Sequence, residues 1–401
     1  MIPAPYDLNL RHLRALSTVV TSGTVSAAAA VVGLSQPALT QGLRKLEQQL
    51  GMALFDRQPD GMTPTAAGTA MAERCTLAFA RLAEGLRVGR TGRGVGRPEH
   101  RVTATQLDAL LRFADAGSFA GAAAGGALSQ PAIHRAVRDL EHICGAALAL
   151  RRGRGMVLTE AGRRVARGVR LAALEIAAGI TSASGDRDAV QPIAIGALPL
   201  SRALVVPHAV ARFIAGEPSA PVSVVEGSWR DLVDPLRDGL IDLMVGALRD
   251  EDLSGLDQHP LFDDRLAVVG RAGHPLAGER ADVDALAHQA WIVGPAGSPL
   301  RARWQQLFAH HDRPRAPIEC GSVMVIRGVL ADSDLLTLLS PDQVALELTG
   351  GVLTRIGGPV AQGLRTIGVT TRSGWRPTAA QARLLSLIRE AAAITRVPES
   401  E

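Results

Sequence analysis

Aromatic residues make up only 3% of this 401-residue chain, with a single tyrosine, so its cores must be built from aliphatic side chains. Cysteine is almost missing: Cys75, Cys144 and Cys320 stand far apart, which excludes a disulfide framework and a zinc site of paired ligand spacing and leaves them as small core residues. No apolar run is long enough to cross a bilayer, and Met1 to Asp7 shows no basic stretch leading into an apolar segment. No membrane partner and a cytoplasmic location are therefore expected. The motifs of catalysis are missing as well, with no phosphate loop, no HExxH, no nucleophile elbow and no metal-ligand cluster. Catalytic residues, metal and cofactor are accordingly all expected to be none. The His310-His311 pair has no partners at ligand spacing and reads as a solvated helix end.

What is present is a globular composition, 47% apolar with 20% charged, in a chain too long for one ordinary core. The charge is unevenly placed. Residues 1 to 88 hold 8 basic and 6 acidic side chains, 89 to 180 hold 14 and 7, and 181 to 401 hold 21 and 26. A basic amino-terminal part joined to an acidic remainder points to a polyanion reader coupled to something else.

Laid on itself at an offset of 94, the chain aligns Leu13–Gly68 with Leu107–Gly162 without a gap, and 24 of those 56 positions are identical. That is a duplicated unit. Its densest identity is Leu34-Ser35-Gln36-Pro37-Ala38 against Leu128-Ser129-Gln130-Pro131-Ala132. Ser before Gln-Pro starts a helix, because the hydroxyl caps free backbone N–H groups and proline is tolerated in the first turn.

Around that start the spacing predicts three helices in the first copy. Leu10, Leu13, Leu16, Val19 and Val20 recur at helical period up to Gly23. An Ala-rich run spans Ser26 to Val32, and a third helix spans Gln36 to Leu50 with Leu39, Leu43, Leu46 and Leu50 inward. Two short helices, a tight turn and a third helix with a polar face make a helix-turn-helix. A small hairpin wing follows in each copy, ending in Gly61-Met62 or Gly155-Met156. Then Thr65-Ala66-Ala67-Gly68 or Thr159-Glu160-Ala161-Gly162 opens another helix. Its apolar stripe, Met71, Cys75, Ala78, Leu82, Leu86 in one copy and Val165, Val169, Ala172, Ile176, Ile180 in the other, favours pairing with a second helix.

In these residues the chain resembles the LysR-type transcriptional regulators. The Ser-Gln-Pro-Ala helix start, a Leu-Glu pair, a Gly, the Leu-Phe-x-Arg wing and the Thr-x-x-Gly linker start run almost unbroken through Leu10 to Gly68. The usual member has one such unit, and this chain has two. The resemblance implies a multidomain fold: two α-rich winged helix-turn-helix domains ahead of an α/β periplasmic-binding-protein-like (type 2) effector domain of two subdomains. The expected boundaries are a first winged helix-turn-helix over 8–68 and a linker helix over 69–88. A flexible linker over 89–101, a second winged helix-turn-helix over 102–162 and a linker helix over 163–182 follow. The effector domain is expected over 190–396, with subdomain I about 190–264 and 352–396 and subdomain II about 265–351.

The implied DNA-binding residues are Ser35, Gln36, Pro37, Thr40, Gln41 and Arg44 with wing Arg57, then Ser129, Gln130, Pro131, His134, Arg135 and Arg138 with wing Arg151, Arg152 and Arg154. Gln and Arg suit base edges, and wing arginines suit phosphates. The copies diverge. The second has Ala149 where the first has Phe55, and it carries Gly121, Gly125 and Gly126 around its second helix, where an interior glycine costs about 1 kcal/mol against alanine. Both copies reading DNA is the expectation, and a second copy that only dimerises stays open. Gly89 to Arg101 reads as a mobile tether, spanning roughly 20 Å as a coil.

From Val190 onward strands and helices alternate, predicting βαβ units and a mostly parallel sheet. Ligands bind such sheets at the carboxyl ends of strands. The candidate effector-binding residues are therefore Leu200, Ser201, Ser228, Pro295, Gly297, Ser298, Ser322 and Val323. Ser201, Ser298 and Ser322 each stand at an expected helix start, where N–H groups favour an anion such as a carboxylate. Arg202 or Arg301 could supply counter-charge. The expected partners are double-stranded operator DNA, a small effector, further copies of the chain in a homodimer or homotetramer, and RNA polymerase if the protein activates. A solute-binding protein without DNA activity is the rival from another class. The repeated Ser-Gln-Pro-Ala helices speak against it.

Overall fold

Asn9, Thr24 and Ser35 each place a side-chain oxygen on a helix start, accepting from Arg11 N (2.9 Å), Ala27 N (3.3 Å) and Ala38 N (3.4 Å). These caps set out helices α1 (Leu10–Ser22), α2 (Val25–Val32) and α3 (Gln36–Leu50) by satisfying N–H groups that have no intrahelical partner. The computed structural model describes residues 3–58, 61–88, 97–153, 155–184, 191–199, 201, 203, 205–249, 253–279, 281–360 and 363–394. The chain divides into two units, Met1–Pro192 and Ile193–Glu401.

In the first unit, α3 leads into an antiparallel hairpin, β1 (Phe55–Gln58) with β2 (Gly61–Pro64), and then α4 (Ala66–Leu86). The order then repeats: α5 (Ala104–Ala116), α6 (Phe119–Ala123), α7 (Gln130–Cys144), the hairpin β3 (Ala149–Arg152) with β4 (Gly155–Leu158), and α8 (Glu160–Ser184). One core runs through both repeats. Leu13, Leu16, Leu39, Leu43, Leu46 and Leu54 fill it in the first, and Leu107, Leu110, Ile133, Val137, Leu140 and Leu148 in the second. Leu50, expected inward, is only half-buried at the helix end.

The repeats differ most at their second helices. Val31 and Val32 of α2 correspond to Gly125 and Gly126, and α6 stops at Ala123 after 5 residues where α2 runs for 8. The left-handed turn falls on Gly33 (φ 67°) in the first repeat. In the second it falls one position earlier, on Gly126 (φ 75°), a conformation open to glycine at little cost.

The tether expected over Gly89–Arg101 falls partly on 89–96, outside the described residues. Its end is not a free coil. Pro98–His100 forms a 3-10 turn packed on α4, with Glu99 buried. The Glu99 carbonyl accepts from Arg14 Nη2 at 2.5 Å, and this bond together with the turn explains the order.

The second unit contains β5 (Ile193–Ala197), α9 (Val205–Gly216), β6 (Val222–Glu226), α10 (Trp229–Arg237), β7 (Leu243–Ala247) and β8 (Leu256–Arg265). It continues with β9 (Ala267–Arg271), α11 (Val283–Ala287), β10 (Trp291–Val293), α12 (Pro299–Leu307), β11 (Ile318–Glu319), α13 (Val323–Ala331) and β12 (Leu336–Leu339). It ends in α14 (Ala345–Thr349), β13 (Leu353–Arg355), β14 (Leu364–Arg372) and α15 (Ala379–Ile394).

Two five-stranded sheets result, ordered β6-β5-β7-β14-β8 and β11-β10-β12-β9-β13. The mostly parallel expectation needs correction. β5 runs parallel to β6 and β7, and β10 parallel to β11 and β12, but β14 and β9 are antiparallel to both of their neighbours. Those antiparallel strands stand next to the two places where the chain passes between sheets, and a passing chain returns in the opposite direction. The first passage lies between Arg265 and Ala267. The return comes after Arg355 rather than at 352, because β13 still pairs with β9. Asp264 fixes the passage, accepting from Ser340 Oγ (2.7 Å) and Arg365 Nε (2.8 Å).

Candidate nucleic-acid interface and ligand cavity

Ser35 and Ser129 cap α3 and α7 identically, each accepting from the N–H three residues on at 3.4 Å. Beyond each cap the helix turns Leu39, Leu43 and Leu46, or Ile133, Val137 and Leu140, into the core. The period of the helix then sends the other face outward. Gln36, Pro37, Gln41 and Arg44 are exposed on α3, as are Gln130, Pro131, His134, Arg135 and Arg138 on α7. Thr40 is half-buried, its hydroxyl donating to the Gln36 carbonyl at 3.0 Å. On α7, His134 meets Phe119 edge to face at 5.2 Å between centroids. A hollow of about 370 Å³ opens there between Phe119, Gln130, Pro131, His134 and Arg135.

The hairpins are fastened to these helices by a device that sequence reasoning missed. Glu47 Oε1 accepts from Leu54 N (2.9 Å) and Phe55 N (3.2 Å), and Glu141 Oε1 accepts from Leu148 N (2.9 Å) and Ala149 N (3.1 Å). One carboxylate per copy thus satisfies the two N–H groups at the turn from the third helix to the hairpin. The Leu-Glu pair was visible in the sequence as a motif, without its role. Thr65 and Thr159 fasten the other end, donating to the carbonyls of Ala53 (2.9 Å) and Ala147 (2.7 Å). Gly68 and Gly162 stand where a Cβ would lie 2.0 Å from the carbonyl oxygens of Leu54 and Leu148. The Thr-x-x-Gly motif is therefore the footprint of a close backbone crossing. Arg151 and Arg152 are exposed on β3. The expectation at Arg154 falls outside the described residues, as does the one at the Arg57 side chain.

In the second unit a cavity of about 290 Å³ is lined by Arg249, Ala296, Gly297, Ser298, Pro299, Arg301, Ala302 and Gln305. Two expected residues, Gly297 and Ser298, line it, and Ser298 caps α12 by accepting from Arg301 N at 3.2 Å. Arg301 faces Glu319 at 3.6 Å and Gly294 O at 3.4 Å, and Arg249 lies over the Trp229 ring at 5.0 Å. The other expected residues do not gather at this cavity. Ser201 is fully buried with its hydroxyl 2.9 Å from the carbonyls of Leu198 and Val245, so it closes the end of β5 and caps no helix. Ser228 spends its hydroxyl on Asp231 Oδ2 at 2.6 Å, and its own N–H donates to the same oxygen. Both bonds hold the Asp231 carboxyl below the usual carboxylate range. Ser322 stands at the start of α13 without a side-chain cap bond, followed by Val323. Pro295 packs against Gly321 instead. Leu200 and Arg202 fall outside the described residues.

Comparison with known proteins fits this division. The model of bacterial regulatory helix-turn-helix proteins of the lysR family matches residues 10–69 and again 104–163. The LysR substrate binding domain matches 187–393. The transcriptional regulator GalR of Pseudomonas putida is 31% identical over 386 residues, covering 95% of this chain and 97% of GalR. The regulator PcaQ of Agrobacterium fabrum is 30% identical over 271 residues, 66% of this chain and 87% of PcaQ. Among solved structures, ArgP of Mycobacterium tuberculosis superposes with a TM-score of 0.60 at 18% identity, over 72% of this chain and 96% of its own. Full-length OxyR of Pseudomonas aeruginosa gives 0.58 at 20%, over 72% and 94%. Each of these two folds is thus nearly used up while 28% of this chain (100 less 72) stays unmatched. Among the described residues no helix is long and apolar enough to cross a membrane. The chain belongs to the LysR family of DNA-binding transcriptional regulators.

Proposed function

We propose that both helix-turn-helix copies, each a winged domain, read operator DNA, and that the α/β unit, of type 2 periplasmic-binding-protein form, senses a small anion. The observation that carries the reading is the matched pair of Ser-capped helices, each with an exposed Gln and Arg face and a wing tied back by a half-buried carboxylate contact. A reading helix inserts its amino-terminal residues into the major groove. There Gln36, Gln41, Arg44 and Gln130, His134, Arg135, Arg138 stand as base-edge readers, and Arg57, Arg151, Arg152 and Arg154 as phosphate contacts. The dimerisation-only reading of the second copy lacks a motive, since its outward face is the more basic of the two.

The anion would sit at the start of α12, where Ser298 and the N–H groups behind it meet Arg249, Arg301 and Gln305. Its binding would shift the balance between DNA-gripping states of an assembly of two or four chains, which would meet RNA polymerase if it activates. The test of the readers is quantitative footprinting of the full chain beside Gln36→Ala/Arg44→Ala and Gln130→Ala/Arg138→Ala. Each pair should weaken binding at least tenfold, and a pair that leaves affinity and protected length unchanged removes its copy from the reading. For the cavity, calorimetric titration with a panel of small carboxylates should find a ligand whose affinity falls at least tenfold in Arg301→Gln. If every ligand is indifferent to Arg301, the site lies elsewhere.

A further inference from the structure

The apolar stripes of α4 and α8 asked for partner helices, and in this chain they take each other. Met71, Cys75, Ala78, Leu82 and Leu86 on α4, and Val165, Val169, Ala172, Ile176 and Ile180 on α8, are all at most 3% exposed. The helices run antiparallel. Near one end Gly85 meets Gly168 so closely that a Cβ on either would lie within 2.7 Å of the other's Cα. Towards the other end Gly179 faces Met71, and Arg74 Nη1 pairs with Glu175 Oε2 at 2.8 Å. The segments that precede each copy are exchanged as well. The 3-10 turn Pro5–Asp7 packs on α5 and α8 of the second copy, where Tyr6 Oη donates to the Val169 carbonyl at 2.6 Å. The turn Pro98–His100 packs on α4 of the first copy. Tyr6 and His100 are themselves 94 residues apart, the offset of the repeat. Reciprocal contacts of this kind are what a twofold axis between two identical subunits produces, here written into one chain.

Resting on the reading that both copies bind DNA, we infer that one chain occupies a complete operator, made of two inverted arms that are alike at some base pairs and unlike at others. Twofold related readers take inverted half-sites, so the symmetry of the DNA mirrors that of the protein. On the outward face of the third helices the quasi-twofold is broken where the presented side chains differ. Gln36 and Arg44 repeat as Gln130 and Arg138, whereas Thr40-Gln41 become His134-Arg135. The arms should therefore share the base pairs met by the common Gln and Arg. They should differ between these, with the second copy's arm richer in guanine, because arginine pairs with the guanine O6/N7 edge while glutamine prefers adenine. With the α4 and α8 stripes already buried against each other, a second chain is not needed to complete the pair of readers.

The test is selection of bound duplexes from a random DNA library by full-length protein, followed by native mass spectrometry on the selected site. The expected result is one chain per pair of unlike inverted arms. The double variant His134→Thr/Arg135→Gln gives the second reader the first reader's face and should convert the selected site into a symmetric inverted repeat. The inference is overturned if wild type already selects identical arms, if the variant selects the wild-type site, or if each arm needs its own chain. Failure of the two-reader reading looks different: the wild type then selects a single arm, and one of the Gln/Arg double variants binds it undiminished. Independently, Arg74→Cys/Glu175→Cys treated with a short bismaleimide should stay monomeric on a denaturing gel. A covalent dimer would assign α4 and α8 of each pair to two different chains and would also overturn it.

Discussion

The two helix-turn-helix copies agree where they hold themselves together and disagree where they face outward. Glu47 and Glu141 hold the same two wing N–H groups, Thr65 and Thr159 the same carbonyl position, and Gly68 and Gly162 the same backbone crossing at 2.0 Å. Thr40 and Gln41, by contrast, have become His134 and Arg135, and the second helix is three residues shorter, ending before Ala124, Gly125 and Gly126. Duplication has thus kept the frame that aims a helix and freed the residues that the helix presents. The frame is constrained by short distances and by N–H groups that would otherwise be unsatisfied. The presented face is constrained only by what it touches in a partner.

The sharpest way to break this comparison is at the crossing. Gly68→Ala and Gly162→Ala each drive a Cβ against a backbone carbonyl and should each cost about 3 kcal/mol, seen as a lower unfolding midpoint in urea. If one copy absorbs the change, the frames are not equivalent. Next, Glu47→Ala and Glu141→Ala each leave two half-buried N–H groups unsatisfied and should cost about 2 kcal/mol apiece, with faster amide exchange at residues 54–55 or 148–149. At the second helix the copies should part. Gly125→Ala, in ordinary backbone with its nearest neighbour 3.4 Å away, should add about 0.5 kcal/mol. Gly126→Ala, at φ 75°, should lose about 1 kcal/mol.

The smallest effect is on pH. Burial, and then Lys45, hold His12 below the ordinary histidine range, and its counterpart in the second copy is Gln106. A depressed pKa in the fold means that the unfolded chain takes the proton first. The first copy should therefore lose stability as pH falls from about 6.5 through the folded value, while keeping it in full above that range. Thermal melts at stepped pH should show that slope shallower in His12→Gln. His100, lowered chiefly by burial too, would keep the slope from vanishing.

How much of this was legible follows from the range of the interactions. The Ser-Gln-Pro starts, the helix Gln36–Leu50 and the buried stripes of α4 and α8 came from the sequence, because capping and the 3.6-residue period act within a few positions. Of the cavity lining, Gly297 and Ser298 were among the residues singled out in the sequence, since Ser298 is a local cap. Ser201 was misjudged because its bonds run to Val245, 44 residues away. The mixed sheets were missed because the direction of β9 and β14 depends on where the chain passes between sheets. Arg249 was missed because only the fold brings it beside α12. By itself the sequence determined that this chain carries two lysR-type helix-turn-helix units ahead of a LysR substrate binding domain, since each motif is built from neighbours. Only the tertiary structure decided that the two linker stripes pair with each other and that each lead-in segment crosses to the other copy. An apolar stripe states that it must be buried, and the choice among possible partners is made by the shape of the whole unit.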